Sequence, residues 1–75
     1  MRPTDDTTAA ALDRYGPLIG DREFAELAGV SVHAPRAWRQ RRQGPPYRKI
    51  GPGARLVRYE TRVVVSWLLG RGNAA

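Results

Sequence analysis

The residues able to do chemistry in this chain are mostly cationic and fall in two neighbouring stretches. "SVHAPRAWRQRRQG" carries His33, Arg36, Arg39, Gln40, Arg41 and Arg42, and "YRKIGPGARLVRY" carries Arg48, Lys49, Arg55 and Arg58. A guanidinium presents a planar fork of donors, matched to two phosphate oxygens or to O6 and N7 of guanine, and an ammonium is a compact point charge. Gln40 can pair with adenine through its amide. Such a set suits binding to an anionic polymer. Acid–base or nucleophilic catalysis is not expected, because no nucleophile–base pair is visible and the few carboxylates sit mostly near the N-terminus. A chain without Cys has no thiolate metal site and no disulfide, and His33 alone cannot make a zinc site, so neither metal nor cofactor is expected.

The charge distribution points the same way. Residues 1–30 hold three Arg against six acids, a net of −3, and residues 31–75 hold nine Arg and Lys49 against Glu60, a net of +9. A positive field gathered in one half is the footprint of a nucleic-acid face. Seventy-five residues make a single small domain. No apolar run approaches the length of a membrane span and no secretory h-region is present, so no membrane partner is expected. The expected location is the cytoplasm, with the nucleoid when DNA is bound.

Those side chains need elements to hold them. Residues 1–16 are polar and Ala-rich and are expected as a flexible tail, with a fraying helix over 8–15 as the alternative. "LIGDREFAELAGVS" predicts a first helix capped by Gly20 or Asp21. Glu23 sits at its N-terminus, Phe24, Leu27 and Ala28 form one apolar stripe, Leu18 or Ile19 staples it, and Gly29 ends it. Val30 is expected to turn inward.

A second helix lies between Ser31 and Gly44, anchored by Trp38 and starting regularly at Pro35, where proline is tolerated. Its outward positions are Val32, His33, Arg36, Arg39, Gln40 and Arg42. "YRKI" and "RLVRY" alternate with period two around "GPGA" and predict a hairpin whose apolar side is Tyr47, Ile50, Val57 and Tyr59. Glu60 or Thr61 then caps a closing helix ended by Gly70, with Val64, Trp67 and Leu68 as its core face. The expected domain spans 17–70 and residues 71–75 are tail. Two helices joined by a tight turn, then a hairpin, then a helix predict a mainly α fold with a small β-hairpin: a winged helix-turn-helix.

"REFAELAGVS", a Trp seven residues after the Ser, "GPPYRKIG", "VRY" and the "SWL" helix at these distances resemble small excisionase-type DNA-binding proteins (recombination directionality factors). Their domain is similar to the winged head of MerR regulators. The resemblance covers residues 18–69. The chain departs from it at Pro35, where an inward aliphatic residue is usual, at Ala37, where a basic residue is common, and in a wing turn about one residue longer.

Resemblance and residue chemistry together assign expected roles. The start of the second helix, Ser31, Val32 and His33, approaches the DNA, and Arg36 is the leading base reader in the major groove. Gln40 is a weaker one, and Arg39, Arg41 and Arg42 meet phosphates. Arg55 and Arg58 are the wing's grip, and Arg48 and Lys49 point to opposite faces, so one of them meets DNA. The resemblance implies double-stranded DNA and a site-specific integrase as partners, and allows cooperative head-to-tail self-association on DNA. Phage or prophage excision is the first expected role, a small MerR-like transcriptional regulator the second, and a basic protein-interaction module the third.

Overall fold

The computed structural model describes the backbone of residues 3–74 and the side chains of residues 6–70. Residues 1, 2 and 75, which belong to the two expected tails, lie outside the described residues. The chain runs α1 (Pro3–Tyr15), β1 (Leu18–Ile19), α2 (Asp21–Ala28), α3 (Ala34–Gln40), β2 (Arg48–Ile50), a 3-10 turn (Pro52–Ala54), β3 (Leu56–Glu60) and α4 (Thr61–Ala74). It is mainly helical, with one three-stranded antiparallel sheet in the order β1-β3-β2.

Helix α2 forms as its signals predict. Gly20 caps it, the Gly20 N–H donates to Glu23 Oε1 at 3.0 Å, and Phe24 is fully buried. Gly29 stops it in the left-handed region at φ 72, and the Val30 N–H reaches back to the Ala25 carbonyl at 3.0 Å. Val30 itself is exposed, because the turn to α3 swings its side chain outward.

Helix α3 is shorter than the bracket from Ser31 to Gly44. It begins at Ala34 with Pro35 as its second residue, where a missing N–H costs no helical bond. Pro35 is fully buried and so occupies an inward position. Arg41 caps the C-terminal end and Arg42 takes the left-handed conformation at φ 56, so the helix closes before Gly44.

The core is aromatic. Phe24 meets Tyr59 edge-on at 4.8 Å, Trp38 at 5.7 Å and Trp67 at 6.0 Å, and Trp38 lies 5.4 Å from Trp67. Each such pair contributes about 0.5–1.5 kcal/mol beyond its area burial. Ile19 and Val64 complete the cluster, with Leu27, Val57 and Leu68 packed around it. One ring each from α2, α3, β3 and α4 therefore fixes the helix pair against the hairpin.

Three further expectations are corrected. Most of the stretch expected as a tail is α1, which packs on α4 with Ala11 buried. Ala combines high helix propensity with a side chain small enough for close approach, so a segment with a weak apolar period still docks. Helix α4 runs through Gly70 to Ala74, into the expected C-terminal tail, and α1 covers it. Ile50 leaves the expected apolar side: it pairs with Leu56 in register and is exposed, while Val57 and Tyr59 lie on the opposite face. Strand β1 was not foreseen. Two residues are too short for a period-two pattern, yet Leu18↔Glu60 and Ile19↔Tyr59 add it to β3.

Candidate nucleic-acid interface

The hairpin gives its cations two faces. Strand residues alternate sides, and residues in cross-strand register share one. Lys49 pairs with Val57, Arg48 with Arg58 and Ile50 with Leu56. Tyr47, Lys49, Arg55 and Val57 therefore face α3, while Arg48, Ile50, Leu56 and Arg58 face away.

Between α3 and the first of these faces lies an open groove of about 550 Å³, lined by Arg36, Arg39, Gln40, Tyr47, Lys49, Ala54, Arg55 and Val57. Arg36, Gln40, Lys49 and Arg55 are exposed in it. Among the described residues, Arg36, Lys49 and Arg55 make no ion pair. A helix offers one wall of unpaired donors and a hairpin the other, so the groove carries a concentrated positive potential. Its turn is shaped by positive backbone angles at Gly51, Gly53 and Ala54, and by the Ala54 N–H bonded to the Gly51 carbonyl at 2.9 Å.

Arg39 is placed differently from the outward position expected of it. Its Nη1 donates to Asp21 Oδ1 at 2.5 Å and to the Tyr59 hydroxyl at 2.8 Å, and its Nη2 donates to Asp21 Oδ2 at 3.1 Å. The guanidinium lies 5.7 Å from the Tyr47 ring centre and 6.0 Å from that of Tyr59, with the side chain 14% exposed. The Asp21 bond holds its pKa above the ordinary arginine range. Burial holds the Tyr59 hydroxyl above the ordinary phenol range, against the opposing pull of Arg39.

The remaining expected residues are spread around this groove. Ser31, Val32 and His33 form the exposed turn ahead of α3, where the Ser31 hydroxyl accepts the His33 N–H at 3.2 Å. They do not line the groove. Arg42 lines a neighbouring hollow with Gly44, Pro45, Pro46 and Tyr47. Arg48 and Arg58 stand opposite each other on the outer face, where Glu60 pairs with Arg48 at 3.5 Å and Arg58 donates to the Val57 carbonyl at 2.7 Å.

Asp21 and Tyr47 were not foreseen as parts of this site. Asp21 reads as a helix cap, and its partner lies 18 residues away, beyond any local spacing rule. The alternation of "YRKI" does place Tyr47 beside Lys49, which is the signal that could have found it. No helix of the described residues is long and apolar enough to cross a membrane. The chain matches no family model and no curated protein.

Proposed function

We propose that this protein binds double-stranded DNA sequence-specifically as a winged helix-turn-helix, with α2 and α3 as the helix pair and the β2–β3 hairpin as the wing. The observation that carries this reading is the groove in which Arg36 and Gln40 of α3 face Lys49 and Arg55 of the hairpin. Helix α3 enters the major groove, Arg36 bridges guanine O6 and N7, and Gln40 meets a neighbouring base edge or phosphate. Lys49 and Arg55 follow the backbone into the adjacent minor groove, whose narrow A·T-rich stretches attract arginine.

The resemblance of "REFAELAGVS", "GPPYRKIG" and "SWL" to excisionases supports a role in phage or prophage excision. Several copies would bind adjacent sites near an attachment site, bend the DNA and turn an integrase toward excision. Bending costs on the order of 1–6 kcal/mol, shared among the copies.

Footprinting on DNA flanking the encoding gene, followed by a recombination assay with the neighbouring integrase, tests this. Protected repeats and increased excision are expected. Unchanged excision with repression of a nearby promoter assigns the small transcriptional regulator instead. If about six cations meet phosphates, log K falls with log salt at a slope near −5. A flat response would assign an acidic protein partner.

A further inference from the structure

One guanidinium ties three elements together. Arg39, in the last turn of α3, holds Asp21 at the start of α2 through two bonds and the Tyr59 hydroxyl of β3 through a third. It forms part of the groove lining between Arg36 and the hairpin, yet its charge is already met. Arg36 and Gln40 leave the same short helix on either side of it, so the pair sets how those two side chains stand relative to Lys49 and Arg55.

We propose that Asp21 is a positioning residue for specificity: it withholds Arg39 from DNA phosphates and locks α3 at one angle to the wing. This rests on the DNA-binding reading. Two separable effects follow. A released Arg39 adds a phosphate contact that every sequence offers, which tightens all binding and steepens the salt dependence. A loosened α3 gives up base contacts, which lowers only the preference for the cognate site.

The test titrates wild type and Asp21→Asn with a random-sequence duplex and with a duplex selected by the wild type from a randomised pool, across salt. Asp21→Asn should bind the random duplex about 3–10-fold tighter at low salt, with a slope steeper by about one. Its preference for the selected duplex should fall about tenfold, the loss of roughly one base contact. Glu60→Gln, the same charge change on the outer face, should leave slope and preference unchanged. Adding Arg39→Gln to Asp21→Asn should return the slope to the wild-type value. In the wild type, the Arg39 side-chain N–H resonances should keep their slow solvent exchange when duplex is added, a measurement that needs no variant to fold.

An unchanged slope in folded Asp21→Asn, or Arg39 resonances that move to a new environment with duplex, overturns the inference and leaves DNA binding standing. A wild type that binds no duplex overturns both.

Discussion

The Gln43 amide donates to the Trp38 carbonyl at 2.8 Å, five residues back, and the Arg42 amide donates to that of Arg39 at 3.1 Å. These two bonds close α3 with the same C-terminal motif that Gly29 provides for α2, but with an arginine at the left-handed position. The end of α3 therefore carries strain that glycine would relieve.

Arg42→Gly should raise stability by about 0.5–1 kcal/mol, the left-handed penalty less the entropy a glycine adds to the unfolded chain. Thermal denaturation followed by circular dichroism reads it as a rise of a few degrees. An equal or lower midpoint would show that the Arg42 side chain stabilises the native state by as much as its backbone costs.

Groove and outer-face arginines should separate in DNA titrations. Arg36→Ala should cost about 1–3 kcal/mol on the cognate site and relax sequence preference, and Arg55→Ala should weaken all sequences alike. Arg48→Ala, on the face turned away from α3, should change affinity by less than about 0.5 kcal/mol. Equal losses from Arg36→Ala on cognate and random duplexes would make Arg36 a phosphate contact.

Thr61 is fully buried, its hydroxyl donates to the Gly16 carbonyl at 2.6 Å and its amide to the Pro17 carbonyl at 2.9 Å. This joint ties the end of α1 to the start of α4. Thr61→Val keeps the shape and leaves one carbonyl without its hydroxyl donor, at a cost of about 1–3 kcal/mol. Hydrogen exchange at the α1 amides should quicken more than at α2. Uniform quickening would mean that α1 and α2 open together rather than separately.

Phe24→Ala removes the ring that Tyr59, Trp38 and Trp67 all touch, and should cost about 3–5 kcal/mol. A chain of this length has little stability to lose, so the near-ultraviolet signal of the two tryptophans should collapse at 37 °C. Retention of that signal would locate the core elsewhere.

Alkaline pH should unfold the protein partly through Tyr59. Its folded pKa lies above the unfolded value near 10.0, so its contribution is fully present below that pH and is lost as pH rises through the folded pKa. The denaturation midpoint should fall above about pH 10, and Tyr59→Phe should flatten that limb. An unchanged alkaline limb in the variant would assign the loss to other groups.

Local signals carried much of this fold. Helix α2 was legible from Gly20, Glu23, the Phe24–Leu27–Ala28 stripe and Gly29, because caps and period act within one or two turns. The hairpin was legible because "YRKI" and "RLVRY" alternate around a glycine-proline turn. Pro35 marked where regular α3 begins to within one residue. Ile50 lies three residues after Tyr47, and period-two alternation by itself puts the two on opposite faces, so its place away from the apolar side was legible in "YRKI".

The cationic residues, and the succession of two helices, a hairpin and a closing helix, can be read along the chain alone. Those facts reside in residue type and short-range spacing. Folding in three dimensions is what docks α1 on α4, gathers Lys49 and Arg55 with Arg36 and Gln40 while Arg48 and Arg58 face away, and gives Arg39 to Asp21. Each of these depends on residues far apart in the chain meeting in space, and no local propensity records that encounter.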